Sequence, residues 1–186
     1  MRARAWMMVV GLVLVATQVA SAAPGTESKP PSALTLSSSA FQNGQPIPSL
    51  YTCDGQNASP ALTWSGVPEG TKSLALVAED PDAPLGTFVH WVVYSIPLAA
   101  TGLQGGFTTD PHTPDGTQQG TTDFGQTGYG GPCPPSGSHR YIFKLYALDK
   151  EPLLDDGATS AQLTQAMQGH ILAQAQLMGT YRRQHR

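Results

Sequence analysis

Two short stretches of the chain carry the residues whose types and spacing could do chemistry. The first is Asp80-Pro81-Asp82-Ala83-Pro84, and it is followed by His90. The second is Gly131-Pro132-Cys133-Pro134-Pro135, and it is followed by His139 and Tyr141. Proline-rich turns hold side chains and backbone donors in fixed positions, so binding costs little conformational entropy. Carboxylates, imidazoles and a phenol on such turns predict a small polar binding site, provided that the two stretches meet in space.

The chemistry of these groups favours an anionic ligand. At neutral pH an imidazole can donate a hydrogen bond and can also gain a proton. We expect Asp80 to accept a hydrogen bond from His90, which would fix one tautomer of the ring and favour its charged form. Together with N–H groups of the glycine loop and the hydroxyl of Tyr141, this pair would suit a phosphate or a carboxylate group.

Each of these features also has a structural explanation. Asp-Pro dipeptides are common turn formers, and a single histidine in an apolar strand is more often a packed core residue than a ligand. Two histidines, each beside an apolar strand and each with its own proline-rich turn, favour the binding site over coincidence.

The elements that must position these residues are predicted to be β-strands. Short apolar or alternating runs are separated by Gly, Pro, Asn and Asp turn signals, which is typical of strands. The connection between the apolar runs at 73–79 and 89–96 is too short for a crossover helix, so these two strands should pair antiparallel. The fold class predicted is mainly β, an antiparallel β-sandwich or Greek key, with a helix near the C-terminus. The predicted strands are residues 34–41, 61–64, 73–79, 89–96 and 140–148.

Period-two alternation assigns side chains to faces of the two strands that carry the histidines. In the first of them, His90, Val92, Tyr94 and Ile96 should share one face, with Val89, Trp91, Val93 and Ser95 on the other. In the strand at 140–148, Tyr141 should share a face with His139, Phe143 and Leu145. Arg140 falls on the opposite face, so we expect it to be structural and paired with a carboxylate.

The rest of the chain predicts one long loop and one helix. Residues 98–138 show no convincing periodic segment, although the aromatics within 121–131 indicate an ordered loop. After Asp155-Asp156-Gly157, apolar residues recur at helical spacing from Leu163 to Met178. This pattern predicts a helix that Ser160 caps and that ends at Gly179.

The N-terminus predicts export. Arg2 and Arg4 precede an uncharged, mostly apolar run over 6–19, and Ala20-Ser21-Ala22 is a small-residue cleavage pattern. We therefore predict a signal peptide over 1–22, a flexible leader over 23–33, and a periplasmic or secreted domain over 34–183. The apolar run is short for a retained membrane anchor, and no later segment is long enough to span a membrane.

Charge and cysteine content limit the partners. Removal of 1–22 leaves eight basic side chains against thirteen acidic ones, a net charge of −5, which argues against nucleic acid as a partner. The chain has two cysteines, Cys53 and Cys133. In an oxidising compartment they predict a disulfide, with two buried free thiols as the alternative.

At these residues the chain resembles the phosphatidylethanolamine-binding protein family, and most of all its bacterial Raf kinase inhibitor-like branch. The matching motifs are Asp-Pro-Asp-Ala-Pro at 80–84, His90-Trp91, Thr-Asp-Phe-Gly at 122–125, Gly-Tyr-Gly-Gly-Pro-Cys-Pro-Pro at 128–135, His-Arg-Tyr at 139–141, Tyr-Thr-Cys-Asp-Gly at 51–55 with Ser59-Pro60, and Gly-His-Ile-Leu at 169–172. The likeness covers roughly residues 34–183. It implies a β-sandwich-like fold with an anion-binding pocket near one end. The pocket residues that it implies are Asp80, Asp82, Pro84, His90, Gly131, Pro132, His139 and Tyr141.

Three classes of function compete on the sequence alone. The first is a non-enzymatic binding protein for a small anionic ligand such as phosphate, phosphoethanolamine or a carboxylate, without a cofactor, that could modulate a partner enzyme. The second is an inhibitor of a protease or kinase that works through its surface. The third is a hydrolase or metal-dependent enzyme, against which stands the absence of Gly-x-Ser-x-Gly and His-Glu-x-x-His motifs.

Overall fold

A computed structural model of the chain describes residues 33–183. The predicted signal peptide over 1–22, and the predicted leader over 23–33 except for its last residue, lie outside the described residues. Within the described part, no helix combines the length and the apolar character that crossing a membrane requires.

In the part of the chain that the structure describes, nine strands form two sheets and one α-helix lies near the C-terminus, which confirms the predicted mainly β fold. The elements are β1 (Thr35–Ser38), a 3₁₀ turn (Ser49–Tyr51), β2 (Leu62–Ser65), β3 (Ser73–Asp80), β4 (Phe88–Ile96), β5 (Gly102–Leu103), β6 (Gln118–Thr121), β7 (His139–Leu148), β8 (Gly157–Thr159), α1 (Ser160–Met167) and β9 (Ile171–Tyr181). The small sheet has the order β1-β2-β5, and the large sheet has the order β8-β6-β4-β3-β7-β9. All pairings are antiparallel except that of β6 with β8.

The core has two parts, one on each face of the large sheet. The first lies between the sheets, where Trp64 of β2 belongs to the same cluster as Trp91 of β4 and Phe143 of β7. The second lies on the outer face, where Leu163 and Met167 of α1 belong to a cluster with residues of β3 and β4. Strand β3 is buried on both faces, as its continuous apolar run predicts.

The C-terminal helix is shorter than predicted. Helix α1 covers only Ser160–Met167, and its cap is Thr159, whose hydroxyl accepts from the N–H of Gln162, rather than Ser160. Gly169, at φ 75°, follows the helix, and β9 begins two residues later. Leu177 and Tyr181 face the core with a period of two, and β7 pairs with β9 along almost its whole length. This tertiary pairing outweighs the helix propensity of the Ala- and Gln-rich segment.

The predicted irregular loop over 98–138 contains two strands, β5 and β6, so that prediction is wrong. Strand β6 pairs with the edge of β4. Its Gln119 is fully buried; it accepts from Trp91 Nε1 at 2.7 Å and donates to the carbonyls of Thr108 and Asp110. A strand that is buried through polar side chains shows no apolar periodicity, which is why the sequence pattern misses it.

Two irregularities in β4 change the predicted faces of that strand. Ala78 lies opposite Trp91 and Glu79 lies opposite Val89, so His90 is the extra residue of a β-bulge. A second register shift lies near Ser95, whose φ is 52°.

The cores confirm the altered faces. Ile96 joins the core between the sheets, with Trp91 and Val93, whereas Val92 and Tyr94 pack on the outer face. The common face predicted for His90, Val92, Tyr94 and Ile96 is therefore wrong. The alternation predicted for β7 is confirmed, with Tyr141, Phe143 and Leu145 in the core between the sheets.

Candidate functional site

The two proline-rich stretches meet around one cavity of about 330 Å³. Strand β3 runs antiparallel to both β4 and β7, so its end lies beside the start of each of them. Asp80, His90 and His139 therefore reach the same edge of the large sheet. The cavity is lined by Asp80, Ala83, Pro84, Leu85, Gly86, Phe88, His90, Phe124, Cys133, Pro134, Pro135, His139 and Tyr141.

The cavity brings together five of the eight predicted site residues: Asp80, Pro84, His90, His139 and Tyr141. The other three do not line it, for reasons visible in their contacts. The carboxylate of Asp82 is held by Arg140. The N–H of Gly131 donates to Asn57 Oδ1 at 2.7 Å, and the carbonyl of Pro132 accepts from the N–H of Cys53 at 3.1 Å. The glycine-loop N–H that was expected to face a ligand is therefore engaged inside the protein.

Asp80 pairs with His139 and not with His90, so the predicted partner is wrong. His139 Nδ1 donates to Asp80 Oδ2 at 2.7 Å, and both side chains are buried. The second oxygen of Asp80 accepts from the N–H of Asp82 at 2.8 Å. Because Nδ1–H donates to the carboxylate, Nε2 is the nitrogen of the His139 ring that has no hydrogen bond within residues 33–183.

His90 is held by the backbone of the glycine loop instead. Its Nδ1 lies 2.6 Å from the carbonyl oxygen of Gly130, and a carbonyl can only accept, so Nδ1 carries the proton. Burial lowers the pKa of His90, although the carbonyl and the nearby Asp80 act in the opposite direction. At neutral pH the ring is uncharged, and Nε2 is again the nitrogen without a hydrogen bond among residues 33–183.

Aromatic rings fix the position of the His90 imidazole. The rings of Phe88, Phe124 and Tyr141 all contact it edge-to-face, at centroid distances of 5.2, 5.2 and 5.1 Å. Edge-to-face contacts are a preferred geometry for such rings and restrict rotation of the imidazole. The bulge at His90 makes this cluster possible, since it turns the ring to the side of the sheet on which Tyr141 lies.

Tyr141 provides a hydroxyl with no partner. Its Oη is buried and makes no hydrogen bond within the described part of the chain. Burial raises its pKa well above the usual value, and the charge of Asp80 adds to that effect, so the phenol keeps its proton. A buried hydroxyl without a partner is uncommon, and at a cavity wall it is available to a ligand.

Asp82 and Arg140 act as a clamp behind the cavity. Arg140 donates to both oxygens of Asp82, from Nη2 at 2.6 Å and from Nε at 2.9 Å, and its backbone N–H adds a third bond at 2.9 Å. These bonds lower the pKa of Asp82 to about 2. The predicted pairing of Arg140 with a carboxylate is confirmed, and it fastens the 80–84 turn to β7.

The apolar part of the lining is what the sequence reasoning missed. Phe88, Leu85, Pro134 and Pro135 line the cavity without having been predicted. Phe124, whose aromatic type suggested burial, is 44% exposed at the mouth. Phe88 could have been predicted from its position, because it lies two residues before His90 in the same strand. Nothing in the composition indicated that Leu85 lines the cavity.

The predicted disulfide is present. Cys53 and Cys133 are bonded, with their Cα atoms 5.4 Å apart, and the bond spans 80 residues of sequence. It ties the loop over residues 51–57 to the proline-rich loop that forms one wall of the cavity. Within residues 33–183, His, Cys, Asp and Glu side chains form no group of three that could hold a metal ion.

This arrangement of fold and site belongs to a known class of proteins. The family model for phosphatidylethanolamine-binding protein matches residues 37–182. The chain therefore belongs to the phosphatidylethanolamine-binding protein family, as its motifs suggest.

Relatives and solved structures agree with this assignment. The chain is 51% identical to the UPF0098 protein of Methanothermobacter thermautotrophicus over 81% of its own length and 99% of that protein. It is 52% identical to the UPF0098 protein of Aquifex aeolicus, over 78% of this chain and 86% of that one. Two solved structures share the fold.

One is a phosphatidylethanolamine-binding protein homologue from Chlamydia trachomatis, with a TM-score of 0.75 and 43% identity, covering 82% of this chain and 99% of the other. The second is Escherichia coli YbcL, described as a member of the mammalian PEBP family. Its TM-score is 0.76 at 35% identity, over 82% of this chain and 100% of YbcL.

Proposed function

We propose that the chain is a non-enzymatic, exported binding protein that holds a small anionic group in the histidine cavity. The group would be a phosphate, the phosphate of phosphoethanolamine, or a carboxylate. One observation carries the proposal: His90 and His139 both commit Nδ1 to fixed acceptors, so that each leaves Nε2 free at the wall of the same cavity. Family membership supports it, since the family is named for binding phosphatidylethanolamine, a lipid with a phosphate-bearing headgroup.

The charges of the lining favour a small anion over a polyanion. Asp80 is the one carboxylate in the lining, and its charge is offset by the hydrogen bond from His139. Protonation of His90 would add a positive charge and turn Nε2 into a donor. The Tyr141 hydroxyl supplies a second donor without any change of charge. Two donors with so little positive charge suit an anion of low charge.

Isothermal titration calorimetry tests the proposal most simply. Inorganic phosphate, phosphoethanolamine and acetate would each be titrated into the wild type, His90→Asn and His112→Asn. Asparagine at 90 can still donate to the Gly130 carbonyl through its amide, so the loop keeps its anchor. His112 is an exposed histidine that pairs with Asp156 away from the cavity, and it is the matched control.

We expect measurable binding by the wild type and the His112 variant. For His90→Asn we expect a loss of roughly tenfold or more, since hydrogen bonds to charged groups contribute about 1.5–3 kcal/mol. If none of the three anions binds to the wild type, or if the His90 variant binds as well as the wild type, the proposal is wrong.

Export has a test of its own. Fractionation of cells that produce the full chain should place it outside the cytoplasm, and N-terminal sequencing of the mature protein should begin at Ala23. A chain that keeps Met1 and stays in the cytoplasm would remove export from the proposal and leave the anion site untouched.

Modulation of a partner enzyme is the second candidate, and the cavity mouth favours it. Leu85 is fully exposed at the tip of the turn over the cavity, and Phe124 is partly exposed beside it. Exposed apolar side chains grouped at one place on the surface are a common feature of protein-binding surfaces. If a purified exported protease is inhibited by the wild type and not by Leu85→Asp, the surface is the functional element; equal inhibition by both would exclude this rim.

A further inference from the structure

A second cavity of about 250 Å³ adjoins the histidine cavity and shares Phe124 and Cys133 with it. Its lining has no acidic or basic side chain. It is formed by Cys53, Asn57, Thr122, Phe124, Gln126, Thr127, Gly128, Tyr129, Gly130, Gly131 and Cys133. The lining differs in character from that of the histidine cavity, since neutral amide, hydroxyl and peptide groups predominate.

Several of these polar groups have hydrogen-bonding capacity left over. Asn57 uses Oδ1 to accept from the N–H of Gly131, which leaves its amide nitrogen to donate. The amide of Gln126 and the hydroxyl of Thr127 make no side-chain hydrogen bond within residues 33–183, whereas the hydroxyl of Thr122 is engaged with the carbonyl of Gln126. The cavity therefore offers neutral donors and acceptors, which suit hydroxyl groups better than charges.

The walls of this second cavity are held rigid. The Cys53–Cys133 disulfide joins the two loops that form it, and the hydroxyl of Tyr129 donates to the carbonyl of Tyr51 at 3.0 Å. Asn57 is fixed in the left-handed region at φ 56°, where asparagine is among the residues best tolerated. A preformed pocket loses little entropy when a ligand enters.

Phe124 lies between the two cavities. Its ring packs edge-to-face against Phe88 at 4.8 Å and against His90 at 5.2 Å, yet 44% of the residue is exposed. A ligand that reached from one cavity to the other would lay its C–H groups against this ring. Such a ligand needs an anionic group at one end, hydroxyl groups at the other, and a short carbon skeleton between them.

We propose that the second cavity binds the hydroxylated part of a phosphate ester, a sugar phosphate or polyol phosphate, whose anionic group occupies the histidine cavity. This inference rests on the proposed anion site and narrows its ligand. In this arrangement the hydroxyl of Thr127 and the amide of Asn57 hydrogen-bond to hydroxyl groups of the ligand. The ring of Phe124 packs against its carbon skeleton.

Calorimetry with three probes tests this assignment: inorganic phosphate, glycerol 3-phosphate and glucose 6-phosphate. The wild type should bind at least one of the two esters about tenfold more tightly than inorganic phosphate. Thr127→Val keeps the shape of the side chain and removes its hydroxyl. We expect it to weaken ester binding roughly two- to tenfold, the range for one hydrogen bond, and to leave phosphate binding unchanged.

Thr63→Val is the matched control, because Thr63 is an exposed threonine of the small sheet, far from both cavities in the fold. It should bind all three probes as the wild type does. If phosphate binds but neither ester binds more tightly, or if Thr127→Val weakens phosphate and ester equally, the second-cavity proposal is overturned while the anion site stands. If none of the three probes binds to the wild type, the second-cavity proposal falls as well, and the titrations with phosphoethanolamine and acetate then decide whether the anion site stands.

Discussion

Anion binding at the histidine cavity should strengthen as the pH falls, and His90 should be the reason. Burial keeps the pKa of His90 below its ordinary value of 6.5, so the ring is neutral in the free protein above that pH. In this state Nδ1 donates to Gly130, and Nε2 presents a lone pair to the cavity. A bound anion is repelled by that lone pair and attracted by the protonated ring, so binding and proton uptake are coupled.

The size of the coupling follows from the charges. A unit charge about 4 Å from the protonated imidazole gains about 4 kcal/mol at an effective dielectric constant of 20. This attraction raises the pKa of His90 in the complex above its value in the free protein. Affinity should therefore rise as the pH falls from 7.5 to 6.5, by at most about tenfold, which is the limit for the uptake of one proton over one pH unit.

Sulfate is the appropriate probe, because its own charge does not change in this range. Its affinity would be measured by calorimetry at several pH values, and in two buffers of different ionisation enthalpy, which reports the protons taken up. We expect proton uptake on binding, of up to about one proton for each sulfate. His90→Asn should lose most of the pH dependence, and His112→Asn should keep it. The reasoning would be refuted by a sulfate affinity that does not change with pH. It would also be refuted if the affinity of the His90 variant changed with pH as steeply as that of the wild type.

Three further predictions concern the framework of the site. Replacing Cys53 and Cys133 by serine should lower the free energy of unfolding by about 4.5 kcal/mol on the chain-entropy estimate for a loop of 80 residues, measured by urea denaturation; an unchanged midpoint would contradict this. Gly131→Ala should destabilise the protein by about 1–3 kcal/mol and weaken phosphate binding, because its Cβ would lie 2.5 Å from two oxygen atoms of the facing loop. Asp82→Asn should cost about 1 kcal/mol at neutral pH, since the pair with Arg140 is partly exposed and screened. The depressed pKa of Asp82 makes its contribution present above about pH 4 and lost as the pH falls towards 2, so the variant should show less acid destabilisation than the wild type in that window.

Much of the framework of the site could be predicted because its determinants are local. The buried run of β3, the alternation of β7 and the proline-rich turns each depend on a few neighbouring residues. Arg140 could be assigned to a carboxylate because alternation places it on the face opposite Tyr141. His90 could be placed near Asp80 because the short connection between β3 and β4 forces antiparallel pairing. The position of His139 in the same pocket is implied by the family resemblance, because the long 98–138 segment separates β7 from β4.

The features that could not be predicted depend on contacts between distant residues. Strict alternation places His90 on the outer face with Val92, and only the bulge against β3 turns it towards Tyr141. The partner of Asp80 depends on the register between β3 and β7. This register places the His139 ring, and not the His90 ring, within hydrogen-bonding distance of the Asp80 carboxylate. The segment over 171–181 has the composition of a helix. It forms a strand because it pairs with β7 along almost the whole length of that strand.

The histidine ring nitrogens give the most direct test of the central claim. NMR spectra of protein labelled with ¹⁵N would be recorded during a titration with inorganic phosphate. His112 and His170 are the internal controls, because His112 is exposed, His170 is half-buried, and both pair with carboxylates elsewhere. We expect the Nε2 resonances of His90 and His139 to shift together and saturate at one concentration, while the two controls stay in place. Shifts confined to one of the two cavity histidines, or equal shifts in all four, would show that they do not form a single anion site.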